Sequence, residues 1–223
     1  MFKKITDNIY FYEGVYRDSN TIMVKSLDDV LLIDLGTGNN INMLLNALSQ
    51  FGIDFQKAHY YFTHSHCDHI GGYSFIYKRA NDELVSYLHE AEFNLVNSGD
   101  YKHMYCPFYG IVFDGTKITN PVSDGDIIRV GNIELNVIHT PGHTIGSTVL
   151  YESKNRVLIS GDTIFSNGSV GRWDFITGDK TMLNESLLKL SDLDIEIILS
   201  GHMSPALHNG NKIIDFALSR FFD

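Results

Sequence analysis

Residues 59–72 read His59-Tyr60-Tyr61-Phe62-Thr63-His64-Ser65-His66-Cys67-Asp68-His69-Ile70-Gly71-Gly72. The first five, aromatic and ending in a β-branched residue, spell a strand. The glycine pair signals tight backbone, so the histidines between fall on a strand-end loop. Within that loop His64, His66, Asp68 and His69 put four metal-capable side chains into six residues. Imidazole and carboxylate together suit zinc, iron or manganese. No Cys-x-x-Cys lies nearby, which removes the usual structural-zinc reading and leaves a catalytic metal.

Three more candidates follow strand-like runs further along: His143 in HTPGHT, Asp162 in LISGDTIF and His202 in ILSGHMSP. Strand ends converge at one rim of a sheet, so donors distant in sequence can meet there. A lone histidine is more often a surface or satisfied core residue than a ligand. Together with the first string, these three read as ligands. His139, four residues before His143, ends a strand and reads as a structural or supporting group.

Outward from the string, residues 9–15, 21–25 and 30–35 are short β-branched and aromatic runs with turn residues between them. Ile41, Leu44, Leu45 and Leu48 then recur as one face of a helix. Helices are expected at 73–79 and 82–95. Residues 97–107 read as loop, where Tyr101 and Tyr105, with Phe108 and Tyr109 just beyond, either line a substrate mouth or close a core. Strands follow at 117–119, 126–130 and 133–138, the last two joined by a Gly131-Asn132 hairpin turn. Further strands are expected at 148–151, 156–160 and 195–199, and helices at 182–190 and 212–222. Strands then helix, in two successive halves, predicts two packed sheets with helices outside. No linker divides them, so residues 1–223 are expected to form one domain.

The 17 basic and 27 acidic residues leave a formal charge of −10, which argues against a nucleic-acid partner. No apolar run is long enough for a secretory signal or a membrane span, which leads to the expectation of a soluble cytoplasmic protein. The two cysteines, Cys67 and Cys106, do not suggest a disulfide framework. Cys67, between ligands, is expected to be a small packed side chain turned away from the metal.

In the order THSHCDH, PGHT, GDT and SGH, these motifs resemble the metallo-β-lactamase superfamily, and more narrowly its single-domain glyoxalase II-like hydrolases. The resemblance spans nearly the whole chain and implies a four-layer αββα sandwich with two divalent ions at one edge, zinc preferred over iron or manganese. It implies that His64, His66 and His143 hold one ion, that Asp68, His69 and His202 hold the other, and that Asp162 bridges them. Asp68 is also expected to serve catalysis. Asp162 stands where antibiotic-degrading members often carry cysteine or serine, which disfavours that activity. Residues 161–179 add GDTIF and a GR-x-D pair, Arg172 and Asp174, similar to glyoxalase II-like proteins and persulfide dioxygenases. Arg172 either binds a substrate carboxylate or braces its loop. Only 21 residues follow His202, too few for the helical glutathione-binding domain of full glyoxalase II.

The function implied is hydrolysis of a small-molecule thioester by a metal-bridging hydroxide. Its thiol leaves as thiolate without strong acid assistance. A lactonase is chemically close. An iron-dependent persulfide dioxygenase, using His64, His143 and Asp162, is the rival from another reaction class.

Overall fold

The computed structural model describes residues 1–80, 84–113 and 116–221. Its first half builds strands β1 (Lys3–Lys4), β2 (Ile9–Tyr12), β3 (Thr21–Ser26), β4 (Asp29–Ile33), β5 (His59–Tyr61), β6 (Ser86–His89) and β7 (Asn120–Val122). Helices α1 (Ile41–Ser49), α2 (Cys67–Tyr77) and α3 (Glu90–Ser98) interleave with them. The second half supplies β8 (Ile127–Val130), β9 (Ile133–His139), β10 (Thr148–Glu152), β11 (Val157–Gly161), α4 (Lys180–Ser191), β12 (Ile197–Ser200) and α5 (Gly210–Phe221). Strands β1 to β7 make one sheet in sequence order, antiparallel as far as β4 and parallel from there. The second sheet runs β12-β11-β10-β9-β8, with only β11 and β12 parallel.

Strand periodicity sorts the apolar side chains into three cores, because successive residues point to opposite faces. Ile22, Val24, Leu31, Ile33 and Tyr61 face the second sheet and meet Leu135, Val137, Leu150, Val157 and Ile159. Their neighbours Met23, Leu32, Tyr60 and Phe62 point the other way and pack under Leu44, Leu48, Ile70 and Tyr73 of α1 and α2. On the far side Val149, Leu158 and Ile198 are covered by Leu187 and Leu190 of α4 and Ile214 of α5. The result is the expected four-layer αββα sandwich. Among the described residues, no helix is long and apolar enough to cross a membrane.

Four local expectations change. The histidine string is only partly loop, since Cys67, Asp68 and His69 form the first turn of α2. The glycine pair lies inside that helix, where a Cβ on Gly71 or Gly72 would overlap the carbonyl oxygens of Thr37 and Leu35. The tight backbone is thus a close approach of α2 to the loop after β4. The helix expected over 82–95 begins outside the described residues, and the remainder divides into β6 and α3. Ser86 and Leu88 are buried, and β6 pairs with β5 and β7. Residues 97–107, expected as loop, contain the end of α3, the 3-10 turn Lys102–Met104 and the start of a second, Cys106–Tyr109. The strand expected at 117–119 lies at Asn120–Val122 instead, because Ile118 and Thr119 bond to the side chains of Asn97 and Ser86. Position 222 of the final helix lies outside the described residues.

The cysteine reading is also corrected. Cys67 and Cys106 form a disulfide, with Cα atoms 5.0 Å apart. Cys67 does turn away from its histidine neighbours, but toward the second 3-10 turn, which folds back over the start of α2.

Candidate metal centre

Five of the seven predicted donors follow a strand, and two open a helix. His64 and His66 follow β5, Asp68 and His69 open α2, His143 follows β9, Asp162 follows β11 and His202 follows β12. The fold brings all seven together. The ligand atoms of His64, His66 and His143 lie within 4.8 Å of one another, as do those of Asp68, His69 and His202. His64, His69 and Asp162 form a third such group that joins the two. Asp162 sits between them, with Oδ1 3.3 Å from His69 Nε2 and Oδ2 3.8 and 3.6 Å from the Nε2 atoms of His143 and His202.

The residues fit cations. His64 Nε2, His69 Nε2 and Asp162 Oδ1 are buried without hydrogen-bond partners, although buried polar atoms ordinarily have one, and His66 meets the cluster through Nδ1, 3.0 Å from His143 Nε2. Burial, reinforced by neighbouring imidazoles, pushes His64 and His66 well below the usual histidine range. They therefore present neutral lone pairs, the form a metal takes. Burial opposes ionisation of Asp162, but His202 and His69 outweigh it and hold the carboxyl far below its ordinary value. Burial is likewise overcome at His69, which the Asp162 and Asp34 carboxylates raise. Two donor sets sharing one carboxylate suit a two-metal site.

Two residues that hold the donors, Asp34 and Glu92, were not singled out from sequence, and a third, Tyr109, was read there only as an aromatic of the mouth or core. Asp34 ends the apolar run of β4 in a left-handed conformation, φ +56°. Its Oδ1 accepts from the Thr63 amide at 2.9 Å. Its Oδ2 accepts from the Thr63 hydroxyl at 2.8 Å and from His69 Nδ1 at 2.7 Å. The Thr63 oxygen is 3.1 Å from His64 Nδ1, so one carboxylate fixes a histidine in each donor set. Glu92 of α3 is fully buried and accepts from the Ser65 amide at 2.9 Å. Its side chain also packs against Gly146 of the second histidine loop, bringing the two loops together, and burial raises its carboxyl. The Tyr109 phenol, raised by burial, bonds Asp68. An acid closing a buried strand was the one available signal for Asp34, while the other two depend on contacts distant in sequence.

Residues 15–202 match the sequence profile of the metallo-β-lactamase superfamily. The chain belongs to that superfamily. It is 34% identical over 202 residues to a probable metallo-hydrolase of Methanocaldococcus jannaschii, covering 85% of this chain and 89% of the relative. A hydroxyacylglutathione hydrolase of Chelativorans sp. is 41% identical over 86 residues, 38% of this chain and 32% of that one. An acyl-coenzyme A thioesterase of Bos taurus is 27% identical over 233 residues, covering 91% and 80%. Among solved structures, TTHA1623 in a di-iron-bound form superimposes with a TM-score of 0.71 at 27% identity, over 88% of this chain and 94% of that one. The chain is a metallo-β-lactamase-fold hydrolase.

The superfamily's centre does not include the Arg172 guanidinium in this structure. That group is exposed, forked onto Asp174 at 2.9 and 2.7 Å and stacked over the Phe175 ring. Its carbonyl oxygen nevertheless accepts from His143 Nδ1 at 2.7 Å, so the backbone of the GR-x-D loop orients a predicted ligand. His139 stacks on His89 at 3.9 Å and donates to the Ile145 carbonyl, a supporting role as expected. Tyr105 packs on His66 and Phe175, whereas Tyr101 packs on Phe113. The aromatic loop therefore both lines the mouth and closes a core.

Proposed function

We propose that this hydrolase cleaves thioesters at a two-zinc centre. In this reading His64, His66 and His143 hold one ion, Asp68, His69 and His202 hold the second, and Asp162 lies between. The observation that carries it is the pair of donor sets sharing Asp162, with His64 Nε2 and His69 Nε2 buried and partnerless among them. The names of the hydroxyacylglutathione hydrolase and acyl-coenzyme A thioesterase relatives support a thioester over other acyl compounds. Such ions, when bound, supply Lewis acidity and bring the acidity of water near neutrality.

The chain's own residues do the rest. Asp34 and the Arg172 carbonyl accept from the Nδ1–H groups of His69 and His143, which turns the Nε2 atom of each ring into the donor cluster. Asp68, held between His202 Nε2 at 3.2 Å and the Tyr109 phenol, is the carboxylate placed to take a proton from the attacking water. The Phe175 and Tyr105 rings cover His66 and exclude bulk water from that side. In the reaction water adds to the acyl carbon, the C–S bond breaks with its electron pair going to sulfur, and the products are a carboxylate, a thiol and a proton. A leaving thiol near pKa 8.5 needs no dedicated acid. Arg172, at the mouth, is proposed to meet a carboxylate on the substrate by leaving Asp174.

The test is thioester turnover on zinc-loaded protein, with thiol release, oxygen consumption and metal content measured together. Thiol release without oxygen uptake, at two ions per chain, is expected. Stoichiometric oxygen uptake with a persulfide, requiring ferrous iron, would replace the hydrolase with a dioxygenase.

A further inference from the structure

Beside the centre, residues 99–113 do something the metal chemistry does not require. Gly99 ends α3 in the left-handed region, φ +86°, and Tyr105 and Gly110 repeat that conformation at +55° and +70°. The chain therefore cannot continue as helix, and it coils through two short 3-10 turns that present large apolar side chains outward. Phe108 is 67% exposed, Val112 77% and Ile176, from the GR-x-D loop opposite, 67%. They border a cleft of about 770 Å³, within the range of small-molecule sites. Its lining is apolar and aromatic, and its charged side chains are Asp100 and Lys102.

The cleft is joined to the centre at its inner wall. Tyr105 and Cys106 line it, and both are attached to the ligand string. The Tyr105 ring lies 5.5 Å from that of His66, and Cys106 is bonded to Cys67. The Tyr105 hydroxyl accepts from the Ile176 amide at 2.8 Å, which fixes the opposite rim to the same wall. An apolar chain lying in the cleft thus has one end against the Tyr105 ring, on whose other side is His66 of the first donor set. Scattered exposed apolar residues need no explanation, whereas a contiguous concave group does. The net charge of −10 argues against an anionic lipid surface as what covers it.

We propose that this cleft receives the acyl chain of the substrate, making the preferred substrates thioesters of medium- to long-chain carboxylic acids. The proposal rests on the thioesterase reading and adds its acyl specificity. Removing a methylene from water is favourable by an amount equivalent to roughly fourfold in affinity. Partial burial in an open cleft leaves about twofold per methylene, or more than a hundredfold in kcat/KM between acetyl and decanoyl.

The experiment compares acetyl, hexanoyl and decanoyl thioesters of N-acetylcysteamine on the wild type, Val112→Asp and Ile176→Asp. Both substituted side chains are exposed, and circular dichroism confirms folding. Calorimetry with the uncleavable thioethers S-decyl- and S-ethyl-N-acetylcysteamine reads binding apart from turnover, and sedimentation reads self-association. Expected are kcat/KM rising with chain length, tighter binding of the decyl thioether, and a decanoyl-to-acetyl ratio at least tenfold lower in either variant. Chain-dependent binding lost in the variants, with no thioester cleaved, keeps the cleft and removes the thioesterase reading. Cleavage indifferent to chain length, or equal selectivity in wild type and variants, overturns the cleft proposal. So does a wild-type dimer that Val112→Asp converts to monomer with selectivity unchanged, which assigns the surface to a second copy of the chain.

Discussion

Replacing Asp34 by asparagine changes one oxygen to an amide nitrogen at the point where both donor sets are oriented. The left-handed backbone tolerates asparagine, so the perturbation falls on hydrogen bonding. If the amide nitrogen takes the Oδ1 position, it faces the Thr63 amide at 2.9 Å, and two donors oppose each other in a buried site at a cost of about 1–3 kcal/mol. If it takes the Oδ2 position, it donates toward His69 Nδ1 and the Thr63 hydroxyl, at 2.7 and 2.8 Å. His69 must then move its proton to Nε2. The Thr63 hydroxyl, now accepting, turns its own proton to His64 Nδ1, with the same result there. A lone pair in each set is lost to a proton. Loss of such supporting bonds costs about tenfold to a hundredfold in metal affinity, or about 1.4–2.8 kcal/mol for each ion. The assay is metal retained after dialysis against graded chelator, beside kcat/KM for thioester hydrolysis and melting of the metal-free protein. Asp34→Asn that keeps both ions with wild-type affinity refutes the tautomer argument, whatever its melting temperature.

Asp162→Ala is expected to lose more activity than His202→Ala, because the carboxylate touches both donor sets and His202 borders one. Equal, mild losses remove Asp162 from between the ions. Arg172→Ala is expected to raise KM about tenfold for a thioester bearing a carboxylate, with little change for one without. Unchanged KM and a lower melting temperature assign Arg172 to bracing Asp174. His89 is pushed down to about 4 by burial, with His139 stacked on it adding to the effect. Its folded form resists protonation, so its contribution to stability is complete above pH 6.5 and is lost as pH falls from 6.5 through about 4. Melting temperature should therefore fall less steeply over that window in His89→Gln than in the wild type, and parallel slopes in the two proteins would count against it.

The convergence of the seven candidate donors was legible because each motif follows a strand-like run, and strand ends in a layered sheet fold share a rim. The αββα layering was legible from alternation, as in Ile22, Met23 and Val24, whose faces the structure separates into two cores. What failed was local. Strand β6 merges directly into α3, with His89 as the cap that accepts from Ala91, and no turn residue marks the change of period. The disulfide joins positions 39 residues apart and depends on a 3-10 turn folding over α2, which no spacing rule encodes. Glu92 sits in an ordinary helical pattern, and its importance comes from the Ser65 amide across the fold.

The donor cluster draws His64, His66, Asp68 and His69 from the end of the first sheet, and His143, Asp162 and His202 from the second. On the proposed two-metal reading, ions held by both groups would act as a fastener between the two halves of the sandwich. By mass action, free metal at a hundred times its dissociation constant adds about 2.7 kcal/mol of folded-state stability per independent site, and this increment acts against separation of the sheets. Metal supply would then set how long the folded chain persists as well as how fast it turns over. A cell short of the metal would hold fewer molecules in addition to slower ones.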